Sequence, residues 1–267
     1  MLHEYIYLKS IFRALAPSFL GQIVDAQRAL SCVSNQPWVD ACSAGKRLAL
    51  DRSRLSILPP TLRPLSFVID VGANQGQWIG SLMELLPIPK VWIFEPNSEA
   101  MKTCQERIGK RPGVTYYELA LGDADGLVEL HVTASSDFAS ILQPRVDFLE
   151  AHYGANAAQV VLNKMVQITT LDNLMPESQS VDLLKVDVQG FERAVISGAR
   201  RVLRNTRAIL IEVNLQSHYS GDDTFPALWH QLAGQGFSFW SLSQPYTGRG
   251  GRALWADAVF VNNDDTP

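Results

Sequence analysis

A five-residue run, Phe67-Val68-Ile69-Asp70-Val71, leads straight into Gly72-Ala73-Asn74-Gln75-Gly76, and a helical stretch from Gln77 to Leu86 follows. This succession constrains the chain more than any other feature. An apolar run this short, bounded by turn residues, reads as a strand buried on both faces. Such a strand is stable only in a sheet covered by helices on both sides. The pattern recurs along the chain. Val91-Trp92-Ile93-Phe94 reads as a second buried strand with Glu95-Pro96-Asn97 at its end, and the span from Ser98 to Ile108 as the next helix. Residues 114–121 read as a third strand, 122–126 as a turn, and 127–132 as a strand paired back on the third. Residues 165–169 predict a short strand, 181–188 a buried one, 191–203 a helix and 208–213 another strand. After a helix near 225–233, residues 237–242 and 254–261 flank a Gly-rich turn and predict an antiparallel hairpin. The expected class is therefore α/β with a largely parallel sheet.

Two stretches stand outside this alternation. Residues 1–60 read as a helical extension, with apolar residues at three- and four-residue spacing (Leu8, Ile11, Phe12, Leu15) and Pro59-Pro60 at its end. Residues 61–267 then form the main domain. Glu4, Lys9 and Arg13 interrupt the first apolar stretch, so it predicts neither a transmembrane span nor a signal peptide. An amphipathic helix that packs on the domain, pairs two copies or touches a membrane surface fits better. Residues 133–163 mix Ser, Asp, Pro and aromatics and read as a lid or acceptor loop.

Composition narrows the partners. With 23 basic and 27 acidic residues the net charge is −4, the wrong sign for a chain that neutralises many phosphates, so nucleic acid is not the expected partner. Three cysteines (Cys32, Cys42, Cys104), with no C-x-x-C, exclude a disulfide framework and a zinc ribbon and fit a reducing cytoplasm.

Four sequence blocks carry chemistry. In the first, glycines at 72 and 76 allow a tight turn and a close approach to the backbone. Their G-x-x-x-G spacing differs from the dinucleotide fingerprint G-x-G-x-x-G, which argues against a nicotinamide oxidoreductase. Asp70 before the glycines would repel a pyrophosphate and suits a ligand with positive charge. In the second, Glu95 ends a strand, where a carboxylate accepts both hydroxyl hydrogens of a ribose; such charge-assisted bonds contribute ~1.5–3 kcal/mol each. The third is Lys185-Val186-Asp187-Val188-Gln189-Gly190-Phe191-Glu192, in which alternation puts Lys185, Asp187 and Gln189 on one side of a strand end. Ligands of open α/β sheets bind at that edge; the alternative reading is a buried structural ion pair. The fourth is Glu212-Val213-Asn214, with His218 four residues on. Asp187, Glu212, Asn214 and His218 form an oxygen-rich set that suits Mg²⁺ or a polyhydroxylated acceptor. Asp137, Tyr153, His218 and Tyr219 are further candidates for a polar acceptor cleft. His3, His131, His152 and His230 have no partner pattern, and Trp229 and Trp255 read as core.

Taken together, these blocks resemble the FkbM family of S-adenosylmethionine-dependent methyltransferases. The resemblance rests on Phe67 to Gly76, Phe94-Glu95-Pro96, Ala120-Leu121-Gly122-Asp123, Thr170-Leu171-Asp172, Leu184 to Glu192, Ser197-Gly198-Ala199 and Ala256-Asp257-Ala258-Val259-Phe260. It implies a Rossmann-like seven-stranded methyltransferase sheet ending in the antiparallel hairpin. It also implies S-adenosylmethionine as cofactor, whose sulfonium and ammonium suit the charge argument above. By resemblance Asp70, Gly72, Asn74 and Gly76 lie on the methionine side, Ala73 and Gln77 also bind the cofactor, Glu95 lies on the ribose, Pro96 and Asn97 beside the adenine, and Ala120 near the cofactor. The family usually has Asp-x-Glu-Gly where this chain has Asp187-Val188-Gln189-Gly190; Gln189 keeps the shape and loses the charge.

The expected reaction is O-methylation of a hydroxyl on a sugar, glycan or other secondary metabolite. Asp187 or His218 is the candidate base, and Lys185 orients the acceptor or stabilises its developing charge. N-methylation of an amine, or a fold that binds without catalysing, are the alternatives, and Mg²⁺ is an open cofactor.

Overall fold

The computed structural model describes residues 57–265, apart from 155, 157, 223 and 249. The chain divides into two units, 1–56 and Ile57–Pro267, and the second is the one described. The expected helical extension lies outside the described residues up to position 56.

Five parallel strands form the centre of the main sheet: β1 (Phe67–Val71), β2 (Lys90–Phe94), β3 (Val114–Tyr117), β7 (Val181–Val186) and β8 (Thr206–Asn214). Their order is β3-β2-β1-β7-β8. Strand β11 (Ala253–Asn262) lies antiparallel against β8, and β9 (Phe237–Leu242) lies antiparallel against β11 as the hairpin reading expects. The sheet counts eight strands because the two-residue β10 (Tyr246–Thr247) adds to β11 beside Trp255. The chain reverses direction along the sheet at β1, where β2 lies on one side and β7 on the other. That switch point opens a crevice at the carboxyl ends of the strands.

The helices follow from the same patterning. Helix α1 (Gln77–Leu85) buries Trp78, Ile79, Leu82 and Leu85. Helix α2 (Ser98–Ile108) starts at Asn97, whose side chain accepts from the Glu99 N–H, and buries Met101 and Cys104. Gly76 has φ 73°, and a Cβ there would lie 2.6 Å from Cys104 Sγ, so glycine permits both the turn and the contact of α1 with α2. Helix α3 (Val146–Tyr153) sits in the segment expected to be a lid, and α4 (Leu171–Leu174) is capped by Thr170. The helix expected over 191–203 is two, α5 (Glu192–Ser197) and α6 (Arg200–Leu203), because Gly198-Ala199 breaks it. Asp172 then holds the N-terminus of α6 by accepting from the N–H groups of Arg201 and Val202. Helix α7 (Phe225–Ala233) buries Leu228 and Leu232 against the sheet. Among the described residues no helix is long and apolar enough to cross a membrane.

One expectation fails here. Residues 114–121 are not one strand, and 127–132 do not pair with the third strand. The chain leaves the main sheet after Tyr117, and β4 (Ala120–Leu121) joins a second sheet with β6 (Val160–Thr169) and β5 (Gly126–Thr133). Ten-residue β6, read from sequence only over 165–169, offers β5 pairing from Gly126↔Ile168 to Thr133↔Val160. It also buries Val166 against Leu130 and Ala120, an apolar contact that the solvent-facing edge of β3 does not provide.

Asp70 and Lys185 are register partners on β1 and β7. Lys185 Nζ lies 3.0 Å from Asp70 Oδ1, and the two side chains are 4% and 0% exposed. Removing one partner leaves a charge buried without its counterion, which typically costs ~3–5 kcal/mol. Lys185→Met is therefore expected to destabilise the domain by about that amount in urea unfolding. The double variant Asp70→Asn/Lys185→Met should recover part of the loss, and a double variant no more stable than the single one would show that the pair is not the source.

Candidate functional site

The crevice is lined by three loops, after β1, β2 and β7. In the first, Gly72 and Ala73 each donate a backbone N–H to Phe94 O, at 2.9 and 3.0 Å, which ties the loop to the end of β2. Gly72 (φ 75°) and Asn74 (φ 49°) both take left-handed backbone conformations. A Cβ at Gly72 would lie 1.9 Å from Asp187 O, so only glycine lets the loops after β1 and β7 come together. Ala73 and Gly76 are buried, while Gln77 is exposed at the start of α1.

Glu95 is buried and accepts from two backbone donors, Asn74 N–H at 2.9 Å and Asn97 N–H at 2.8 Å. Burial pushes its carboxyl up to about 7, against the lowering effect of those two bonds and of Lys185. Two carboxylate oxygens offer about four acceptor sites, so capacity for a ligand's hydroxyls remains. Pro96 is half-buried, Asn97 is buried as the cap of α2, and Ala120 is buried in β4. The Oδ1 of Asn74 is a buried acceptor without a hydrogen-bond partner among the described residues. The Nδ2 of Asn74 donates to Asp137 Oδ1 at 3.0 Å, so the 133–163 segment touches the first loop.

On the other side of the crevice, Lys185 connects everything. Its ammonium contacts Asp70, donates to Gly72 O at 3.1 Å, and lies 3.4 Å from Asp187 Oδ2. Asp187 sits just beyond β7, half-buried. Gln189, with φ 57°, donates from Nε2 to Asp187 Oδ1 at 2.9 Å and to Glu212 Oε1 at 3.1 Å. Glu192 closes the turn from below, with Oε1 accepting from the Val188 and Gly190 N–H groups. Burial pushes its carboxyl up to about 7.

The His218 ring is engaged through both nitrogens by groups outside this cluster. Its Nδ1 lies 2.7 Å from Gln216 O and its Nε2 lies 2.9 Å from the Tyr153 hydroxyl. A carbonyl only accepts, so Nδ1 carries the proton and Nε2 accepts from Tyr153. The ring is buried, and burial lowers its basicity. Asp222 fixes this loop by accepting from Ser217 Oγ and from the His218 N–H. Asn214 Nδ2 lies 3.4 Å from the same carboxylate.

The set Asp187, Glu212, Asn214 and His218 does not fit a cation. The amide of Gln189 stands between the two carboxylates with its hydrogens toward them, and Asn214 and His218 are engaged elsewhere. Among the described residues no group of three or more His, Cys, Asp or Glu side chains is placed to hold a metal ion, so the Mg²⁺ expectation finds no support here.

Sequence reasoning singled out Tyr153 and missed the aromatic wall to which it belongs, beside this cluster. Tyr153 stacks on Tyr246 and Tyr246 on Trp255, at 5.2 and 5.6 Å with planes within 10°, and Phe138 meets Tyr153 edge-on. Trp255 thus belongs to the rim of the crevice as well as to β11. No signal in the sequence joins positions 138, 153, 246 and 255. Tyr219 is buried and its hydroxyl lies 2.7 Å from Gln189 Oε1. Among the described histidines, His131 bonds Asn163 within the second sheet, His152 packs on Phe148, and His230 is exposed on α7. Cys104 is a buried thiol pushed up to about 12 by burial, as suits a packing residue.

Comparison with known proteins identifies the family of the chain. Residues 70–239, which span all three loops, match the methyltransferase FkbM domain. The chain is 28% identical over 183 residues to the 2-O-methyltransferase NoeI of Sinorhizobium fredii (strain NBRC 101917 / NGR234), covering 65% of this chain and 72% of that one. Among solved structures it is similar to methyltransferase FkbM from Methylobacillus flagellatus KT, at 14% identity and a TM-score of 0.46, over 90% of this chain and 58% of that one. It is also similar to human N-acetylserotonin methyltransferase in complex with SAM, at 13% identity and a TM-score of 0.41, over 79% of this chain and 51% of that one. Since the domain match covers most of the chain and contains the Gly72 loop, Glu95 and the Lys185–Glu192 block, the chain belongs to the FkbM methyltransferase family.

Proposed function

We propose that this methyltransferase uses S-adenosylmethionine to methylate a hydroxyl group of a sugar, glycan or other secondary metabolite. One observation carries the reading. The Lys185 ammonium ties Asp70 and the Gly72 carbonyl of the first loop to Asp187 of the third, so a cofactor-type loop and a proton acceptor form one bonded unit. The residues fit the cofactor. Glu95 has acceptor capacity for ribose hydroxyls, and Asn74 Oδ1 is a buried acceptor that an ammonium would satisfy. The cofactor supplies an electrophilic methyl group on a sulfonium. The 2-O-methyltransferase relative supports a hydroxyl acceptor.

In this reading Glu95, Pro96, Asn97 and the 72–77 loop bind and orient the cofactor. Asp187 takes the proton of the acceptor hydroxyl at a carboxylate oxygen. Lys185 is a positioning residue that holds Asp187 beside the first loop through the contact of its ammonium with Oδ2. Tyr153, held by His218, forms with Tyr246 and Trp255 the wall against which the acceptor lies. Residues 133–163 close over it, residues 1–60 pair two copies, and the cytoplasm is the compartment.

Two experiments test this. Asp187→Asn should lower methyl transfer to a hydroxylated acceptor by ~10²–10⁴-fold, the usual contribution of a positioned base. Calorimetric affinity for S-adenosylhomocysteine should stay within a few-fold, and unchanged turnover would remove Asp187 from the mechanism. The second concerns pH. Ribose hydroxyls donate to an ionised carboxylate, and Glu95 gains a proton as pH falls through about 7. Affinity for S-adenosylhomocysteine should therefore fall on acidification, by up to ~10-fold per unit below that value. Glu95→Gln should bind more weakly and lose the dependence. If that variant keeps the same pH slope, Glu95 is not the ribose acceptor.

A further inference from the structure

Gln189 is the most completely constrained residue of the crevice. Its backbone is in the left-handed region, at φ 57°, which disfavours a side chain of this size. Every polar atom of its carbonyl and side chain is nevertheless engaged. Ser140 Oγ donates to its backbone O at 2.7 Å, and Tyr219 OH lies 2.7 Å from Oε1. Nε2 donates to Asp187 Oδ1 and Glu212 Oε1. A carboxylate only accepts, so the opposite orientation of the amide would set its oxygen against two carboxylates. Gly190 follows at φ 99°, where a Cβ would lie 2.9 Å from the Tyr219 ring. Four segments of the chain therefore agree on one orientation. A strained backbone position held this firmly points to a role in the site.

From this geometry we infer that Gln189 takes the place of a cation. Its two amide hydrogens bridge Asp187 and Glu212, hold them at a set separation without adding charge, and make the acceptor side of this methyltransferase metal-free. A divalent ion there would need oxygen ligands at ~2.0–2.6 Å, and the amide nitrogen, with its hydrogens pointing at both oxygens, occupies that space. The neighbouring Lys185 ammonium adds a fixed positive charge on the Asp187 side of this neutral bridge. The inference rests on the proposed function only in naming this side of the crevice the acceptor side; the bridge itself rests on the hydrogen bonds.

The test is Mn²⁺ titration followed by electron paramagnetic resonance, on the full chain and on Gln189→Glu, Gln189→Ala and Gln189→Glu/Asp187→Asn. Calorimetry with S-adenosylhomocysteine runs in parallel. The wild type should show no site dependent on Asp187. Gln189→Glu adds a third carboxylate and should bind Mn²⁺ at least ~10-fold more tightly, with the gain lost in the double variant. Gln189→Ala empties the space without adding charge and should fall between the two, which keeps the test decisive if the acidic variant misfolds. Tight Mn²⁺ binding by the wild type that Asp187→Asn abolishes would overturn the inference. So would a Gln189→Ala protein that binds S-adenosylhomocysteine normally and Mn²⁺ no better than wild type. Failure of every protein to bind S-adenosylhomocysteine would instead overturn the proposed cofactor and leave the Mn²⁺ comparison to decide the bridge.

Discussion

The buried pair of Lys185 and Asp70 is the interaction on which the rest of the site depends. It joins β1 to β7 at the switch point of the sheet, where the carboxyl ends of neighbouring strands carry the loops that bind ligands. Two charges this deep are stable only when paired and hydrogen-bonded. The pair meets that demand by recruiting Gly72 O and Asp187 as further partners of the same ammonium. The close approach of the first and third loops is therefore a consequence of desolvation: the ammonium needs acceptors, and the loop backbones provide them. Gly72 follows from the same constraint, because a side chain there would displace Asp187.

The third loop is built by a different means. Beyond β7 the chain has no ladder to hold it, and Gln189 and Gly190 both take positive φ. Glu192 compensates from the start of α5 by accepting two backbone N–H groups of the turn. The Asp222 carboxylate does the same for the 217–219 turn, which carries Tyr219 to Gln189. Two acidic side chains used as turn acceptors thus support the two polar groups that face the crevice. This explains why so many carboxylates gather here while, among the described residues, no set of them is arranged as cation ligands.

The parallel strands, the helices after them and the closing hairpin were legible because each is a local pattern. The apolar run from Phe67 to Val71, the glycines after it and the apolar spacing of Ile79 and Leu82 act over a few residues. Glu95 was legible as an acceptor at a strand end for the same reason. The departures are non-local. Nothing between Val114 and Leu121 says that the chain changes sheets after Tyr117, because the partner that draws it away, Ile168, lies some fifty residues on. His218 read as one of a set converging with Asp187, Glu212 and Asn214, and its bond to Tyr153, a residue from another segment, left no trace in the sequence. The stack of Tyr153, Tyr246 and Trp255 joins three segments and leaves no periodic trace.

The sequence by itself determined the α/β class, the family, and the residue types at the carboxyl ends of the strands. Hydrophobic period, glycine placement and the position of acids at strand ends are properties of short stretches, and short stretches can be read. Only the tertiary structure decided which of those acids share an ammonium and which share an amide. The electrostatics of a buried carboxylate depends on what approaches it in space. The Gln189 amide between Asp187 and Glu212, and the Lys185 ammonium beside Asp70, exist only once three separate segments have packed together.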